Sequence, residues 1–173
     1  MKKQGAKRWI IGVSILVVFV AIRFTGPVDD QISYAASSAA YSGDMLKLRI
    51  TRLLGVDINR PVSGRGPLIV SAAWNGQLKV IRYLLDAGVD VETKDKFGGT
   101  SLSRSAQGGQ IETVRMLIHA GANVNVKDLE GGNTPIDLCR MNARRYGFDP
   151  EPIIALIASR GGKANTTNKN ESQ

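Results

Sequence analysis

Two residue types that build cross-linked or metal-bound domains are nearly missing from this sequence of 173 residues, which has one cysteine and one histidine. A single Cys139 excludes a disulfide framework within the chain, and one cysteine with one histidine excludes a Cys/His zinc site. We interpret Cys139 as a small buried side chain, with a reactive thiol as the alternative, and His119 as a solvated surface residue. No metal or cofactor is expected.

Motifs that carry catalysis are also missing. The sequence has no nucleophile elbow, no P-loop and no dinucleotide-binding fingerprint. Aspartates such as Asp95 and Asp128 stand in turn-forming surroundings, where their usual role is to hold the backbone of the turn. The sequence therefore predicts a protein that is not an enzyme.

Acidic residues do not occur at the N-terminal end, and this asymmetry explains most of the net charge of +8. Five of the 23 basic residues are among the first 23 positions, namely Lys2, Lys3, Lys7, Arg8 and Arg23. The remaining chain has 18 basic and 15 acidic residues, so it is only mildly basic. This balance argues against nucleic acid as a partner.

A basic leader at residues 1–8 precedes an apolar segment at residues 9–24, which is the pattern of a membrane-targeting sequence. We interpret the segment as an uncleaved signal anchor, because no pair of small residues suited to cleavage follows it closely. A cleaved signal peptide, which would leave a soluble periplasmic protein, and an interfacial segment are the alternatives. The positive charges before the segment predict a cytoplasmic N-terminus and a periplasmic or other extracytoplasmic body.

Between a predicted linker at residues 25–32 and a polar tail at residues 166–173, the sequence repeats itself. Gly43, Gly76 and Gly109 are 33 residues apart, and so are Gly55, Gly88 and Gly121. Three related sequences, GVDIN, GVDVE and GANVN, begin at the second set of glycines. A fixed period of this length is typical of stacked helical repeats.

The period, the start of the TPL type at Thr100 and Thr134 and the GANVN ending resemble the ankyrin repeat over residues 33–165. The resemblance implies an all-α solenoid of about four helix-turn-helix repeats with short hairpin arms. The N-terminal membrane helix predicted from the leader and the apolar segment would precede this solenoid. The repeats are expected at about 33–65, 66–98, 99–132 and 133–165. The histidine usual in the family after the triplet is replaced by Ile69, Ser103 and Asp137, so we expect a stabilising hydrogen-bond network to be lost.

The first and last repeats depart from the pattern. In the first repeat, Thr51 and Arg52 stand where the second repeat has Leu84 and Leu85, which we interpret as the polar outward face of a terminal cap. In the last repeat about six extra residues are inserted between Leu138 and Ile153, in the region of the sequence RRYGFDPEP. We expect this insertion to form a surface loop.

Repeats of this family bind another protein through the arm tips and the first helix of each repeat, so the resemblance implies a binding face there. The tips are expected at 60–65, 94–97 and 127–130. The candidate partner-binding residues are Trp74, Lys94, Lys96, Phe97, Leu129, Arg140, Arg144, Arg145 and Tyr146. Each has a structural alternative, such as packing between repeats for Trp74 or chance exposure for Phe97.

These patterns together predict a membrane-tethered module that binds one partner protein outside the cytoplasm and has no small-molecule substrate. The resemblance to small exported ankyrin-repeat proteins favours an immunity-type inhibitor of a secreted effector. A scaffold or accessory factor for an envelope enzyme is the alternative.

Overall fold

The computed structural model describes residues 26–62 and 66–165. Eight helices lie in this part of the chain. They are α1 (Gly26–Ser42), α2 (Met45–Leu53), α3 (Leu68–Trp74), α4 (Leu78–Asp86), α5 (Ser101–Gln107), α6 (Ile111–His119), α7 (Pro135–Tyr146) and α8 (Glu151–Ala158). The predicted leader, apolar segment and tail lie outside the described residues, as does part of the first arm tip.

The helices form four antiparallel pairs that stack in sequence order. The first helices of the pairs, α1, α3, α5 and α7, pack against each other as an inner row. The second helices form an outer row, in which α4 contacts α6 and α6 contacts α8. This arrangement is the solenoid that the 33-residue period predicts.

Antiparallel bridges close the arms between pairs, joining Val62 to Gly66 and Lys94 to Thr100. The arms of the solenoid are therefore present. Within residues 26–62 and 66–165, no helix is long and apolar enough to cross a membrane.

One core runs through all four pairs. Leu48, Ile81, Leu84, Leu117 and Ile157 of the outer helices are fully buried. They pack against small residues of the inner helices, such as Ala40 and Ala73, whose size lets the helices approach closely.

Hydrogen bonds cap the inner helices where the family histidine is missing. Thr100 and Thr134 accept from the backbone N–H groups of Ser103 and Asp137, which accept in return from the threonine N–H groups at 2.8 and 2.9 Å. Asp137 also accepts from the Asn165 N–H at 2.8 Å, while Ile69 is fully buried. Capping boxes therefore stand in these two repeats where the family has its histidine, so the hydrogen bonding at the starts of these helices is replaced and not simply lost.

The linker predicted at residues 25–32 is also different in the structure, since α1 begins at Gly26. Pro27 does not prevent this, because proline is well tolerated in the first turn, where its missing N–H has no partner inside the helix.

The six extra residues of the last repeat are not a loop. Five of them lengthen the inner helix, so that α7 has 12 residues where α3 and α5 have 7, and the sixth lies in the turn that follows α7. Gly147 ends α7 in the left-handed conformation, and Phe148 follows it. The insertion was predicted as a loop because the period is lost there, although its sequence, NARRYG, suits a helix that ends at glycine.

Phe148 performs a packing role that glutamine has in the other repeats. The side chain of Gln77 covers Gly43 and that of Gln110 covers Gly76. The Phe148 ring covers Gly109, whose φ of +74° and close neighbour leave no room for a side chain. The insertion therefore ends in register with the stack, and Ile153, Ile154 and Ile157 enter the core as predicted.

Thr51 was predicted to face outward, but its exposed fraction is only 4%. Its hydroxyl donates to the Leu48 carbonyl at 2.9 Å, which satisfies the one polar atom that this position buries. Arg52 is exposed, as predicted. The first repeat therefore does not turn a polar threonine toward solvent.

We expect Thr51→Val to raise the free energy of unfolding by about 0.5–1 kcal/mol, because valine has the same shape and adds a buried methyl group. Thr51→Ala is the matched control and is expected to lower it by about 1 kcal/mol. Urea denaturation followed by circular dichroism measures both changes. A destabilising Thr51→Val would show that the hydroxyl is required.

Candidate functional site

The tip of the second arm is organised by Asp95. Its carboxylate accepts hydrogen bonds from the backbone N–H groups of Phe97 and Gly99, both at 2.9 Å. The other carboxylate oxygen lies 2.7 Å from Nε of Arg104 on α5, and both side chains are nearly buried. One carboxylate therefore shapes the tip and fixes it to the inner helix row.

Phe97 lies at this tip among cations. Its side chain is 40% exposed, with the Lys96 ammonium 4.8 Å and the Arg104 guanidinium 5.7 Å from the ring centroid. Such contacts contribute about 0.5–1 kcal/mol each at exposed sites. Lys94 and Lys96 are both exposed beside it, so the tip combines an aromatic ring with positive charge.

The third arm brings Leu129 to the same place. Its backbone N–H donates to the Phe97 carbonyl at 2.9 Å, and its side chain fills the space beside Gly98. The Leu129 side chain is 77% exposed. The structure thus brings two predicted residues, Phe97 and Leu129, next to each other through this backbone hydrogen bond, and we call their two exposed side chains the tip patch.

Asp128 supports the third arm as Asp95 supports the second. It accepts from the backbone N–H groups of Gly131 and Asn133 at 3.0 and 2.9 Å and from Nδ2 of Asn133 at 3.0 Å. Burial alone would raise the pKa of Asp128, but the hydrogen bonds from Asn133 and Gly131 outweigh it and lower the pKa below the ordinary value of 3.8. This turn, DLEGGNT, is one residue longer than the turn DKFGGT of the second arm, and the extra residue is Asn133. Its side chain donates to one Asp128 oxygen, as the Arg104 side chain does to one Asp95 oxygen in the second arm.

We expect Asp128→Asn to lower the free energy of unfolding at pH 7 by about 1.5 kcal/mol, because an amide cannot accept all three hydrogen bonds. A lowered folded-state pKa gives stability that is present above pH 3.8 and is lost as the pH falls through the folded value. The difference in free energy of unfolding between the unchanged protein and the Asp128→Asn variant should therefore disappear below about pH 4, as measured by urea titrations at several pH values. A difference in free energy of unfolding that does not change with pH would contradict a stabilising role for the charged Asp128 carboxylate.

A second cluster lies at the other ends of the inner helices, away from the arms. The rings of Trp74 and Tyr146 meet edge to face with centroids 6.2 Å apart. Trp74 ends α3 and Tyr146 ends α7, so the contact passes over the end of α5. The lengthened α7 makes this possible, and Trp74 is consequently only part exposed.

The predicted arginines divide between two surroundings. The Arg145 guanidinium lies 5.7 Å from the Tyr146 ring centroid, beside the Trp74 contact. Arg140 and Arg144 line a groove of about 810 Å³ between α7 and α8, together with Asp137, Met141, Phe148 and Glu151. Because carboxylates share this groove, its walls are of mixed charge.

Three residues of these clusters were not predicted. Arg104 connects the tip to α5, where Nη1 donates to Gln107 at 2.7 Å. Tyr41 belongs with them by position only: it is 52% exposed near the end of α1, at the place in the first repeat that Trp74 has in the second, and this 33-residue spacing was the signal for it. Phe148 was visible only as part of an insertion, and its register could not be derived from the period.

The remaining candidates are structural. Cys139 is buried, and burial raises the pKa of its thiol to about 11, so the thiolate that reacts is scarce at neutral pH. His119 is exposed and its Nδ1 lies 2.7 Å from the Arg115 carbonyl. Both interpretations made from the sequence are confirmed.

Comparison with protein families agrees with the geometry. A family model for ankyrin repeats in three copies matches residues 32–128, more than half of the chain. No curated protein matches the sequence significantly. The matched region ends before α7, and the structure adds a fourth helix pair that stacks on the third. Period, stacked helix pairs, arms and family match lead to one conclusion: the chain belongs to the ankyrin-repeat family.

Proposed function

We propose that this domain binds one partner protein through the tip patch and the exposed side of the inner helices, which together we call the inner face. The observation that carries the proposal is the pairing of Phe97 and Leu129. Two large apolar side chains are held in the open by backbone hydrogen bonds and a nearly buried ion pair. Rigid apolar groups of this kind are typical anchors of protein interfaces.

The charges around the tip patch indicate the chemistry of the partner. Lys94 and Lys96 are exposed there, whereas the charge of Arg104 is largely matched by Asp95. A surface with an apolar pocket and an acidic rim would complement this arrangement. The Trp74–Tyr146 pair and the arginine next to it give a second contact region on the same inner face.

The sequence supports a proposal for where binding takes place and what it does. A basic leader and an apolar segment support a domain that is tethered to the inner membrane and acts outside the cytoplasm. The resemblance to small exported ankyrin-repeat proteins supports an immunity-type role, in which the domain covers a functional surface of a secreted effector. A scaffold would bind its partner without inhibiting it.

Capture from membranes tests the proposal. The tagged full chain is recovered after mild crosslinking, and the proteins bound to it are identified by mass spectrometry. Phe97→Ala and Trp74→Ala should each weaken capture of the same protein at least about tenfold, the effect of losing about 1.4 kcal/mol. Arg82→Ala, on the exposed side of α4, is the control and should have no effect.

Two further measurements separate the outcomes. Circular dichroism should show that Phe97→Ala and Trp74→Ala remain folded, and an unfolded Trp74→Ala would assign that residue to packing alone. Adding the domain to the purified partner should abolish its activity if the domain is an inhibitor. Full activity in the complex would favour the scaffold, and no captured protein would contradict binding.

A further inference from the structure

The outer helix of the first repeat has an apolar stripe that faces solvent. Leu46, Ile50 and Leu53 have exposed fractions of 71, 47 and 76%. Their spacing of four and three residues places them on one side of α2, opposite Leu48 and Thr51, which are buried. We call these three residues the outer stripe.

Stacking does not require the outer stripe. One period later the same positions hold Lys79, Tyr83 and Asp86, and two periods later Glu112, Met116 and His119. Most of these are the polar residues expected on the outside of a solenoid. The apolar residues are therefore a special property of the first repeat, and a stripe this exposed indicates a surface that is covered by something else.

The charged residues of α2 itself are all basic. Helix α2 contains Lys47, Arg49 and Arg52 and no acidic residue. Asp44 precedes the helix as its cap, where its carboxylate accepts from the Lys47 N–H at 2.9 Å. The guanidinium groups of Arg49 and Arg52 lie 5.9 and 5.5 Å from the Tyr83 ring centroid, which fixes them beside the stripe. Basic residues flanking an apolar helix face are typical of helices that lie on anionic membranes.

The chain also places α2 near a membrane, if the apolar segment inserts as proposed above. Helix α1 begins at Gly26, four residues after Ile22 near the end of that segment. Four residues span at most about 14 Å. Since α2 packs against α1, the first repeat is the part of the domain that the tether would hold closest to the bilayer.

We propose that α2 lies on the surface of an anionic bilayer, with the outer stripe among the lipid chains and Lys47 and Arg49 at the lipid phosphates. This contact would orient the solenoid and leave the inner face free, since the two surfaces are on different helix rows. The proposal rests on the membrane tether but not on the partner-binding role.

An environment-sensitive fluorophore at position 53 tests the contact. The full chain carrying Cys139→Ala and Leu53→Cys is labelled and reconstituted in phosphatidylcholine vesicles with or without phosphatidylglycerol. The matched control is His119→Cys, at the same position two repeats later. With phosphatidylglycerol, the label at 53 should shift to the blue and be quenched by nitroxide-labelled lipid, whereas the label at 119 should show neither effect.

A charge variant and vesicle flotation make each outcome decisive. Adding Lys47→Glu and Arg49→Glu should reduce the equilibrium constant for contact between α2 and the bilayer. We expect a reduction of at least about fivefold for each cation replaced, which corresponds to about 1 kcal/mol per cation. A label at 53 that is shifted but not quenched by lipid would indicate a second copy or another protein and would overturn the proposal. An unshifted label on chains that float with the vesicles would overturn the contact alone, and chains that do not float would overturn the tether as well.

Discussion

Leu84→Ala is expected to lower the free energy of unfolding by about 2–5 kcal/mol, the range for removing most of a buried leucine from a packed core. Leu84 is fully buried in α4, between the first and third repeats. The cavity would therefore weaken contacts on both sides of the second repeat. In a solenoid, where each repeat is stabilised mainly by its neighbours, such a loss in the middle affects the whole array.

Urea denaturation monitored by circular dichroism and by tryptophan fluorescence measures this change. Leu53→Ala is the control, because Leu53 is 76% exposed and should change stability by less than about 0.5 kcal/mol. Equal effects of the two substitutions would contradict the placement of Leu84 in the core and of Leu53 on the surface.

Gly108→Ala is expected to lower the free energy of unfolding by about 1–3 kcal/mol, the usual cost of overpacking. Gly108 has an ordinary φ of −85°, so its backbone conformation suits alanine, and by itself the substitution would stabilise by about 0.4–1 kcal/mol. The opposing effect is larger, because a Cβ at this position would collide with the backbone carbonyl of Trp74. A backbone atom cannot move aside as a flexible side chain can, so the repeats would have to separate.

The equivalent position in the second repeat is Asn75, which already has a Cβ. Asn75→Ala is therefore the matched control, with an expected effect within about 0.5 kcal/mol. Tryptophan fluorescence should also change in Gly108→Ala, since the separation alters the surroundings of Trp74. A stabilised Gly108→Ala would show that α3 and α5 are not in such close contact.

The periodic part of the fold could be predicted from the sequence. Thr100 and Thr134 cap helices as expected, and Gly76 and Gly109 stand where inner helices end. These features recur because each repeat packs against its neighbours in the same way. The role of a residue in one repeat therefore predicts the role of the equivalent residue in the next. The tip residues Phe97 and Leu129 were singled out differently, as apolar side chains at arm tips that are usually polar.

The structure was harder to predict where residues differ from their equivalents in the other repeats or where residues are inserted. Thr51 is polar but occupies a core position, because its hydroxyl is satisfied within its own helix. The contact of Trp74 with Tyr146 depends on how far α7 extends, and the register of an insertion is not set by the repeats around it. The exposed side of α2 was missed for a related reason, since Leu46, Ile50 and Leu53 are unremarkable until the fold shows which side faces solvent.

Site-specific photocrosslinking shows whether the inner face binds a partner protein in the cell. A benzophenone amino acid replaces Phe97 in the full chain, and in a matched protein it replaces Glu112, which is exposed on the outer helix α6. After irradiation of the cells that produce the chain, we expect one discrete protein adduct from position 97 and none from position 112. The same adducts from both positions, or none from position 97, would contradict a partner-binding inner face.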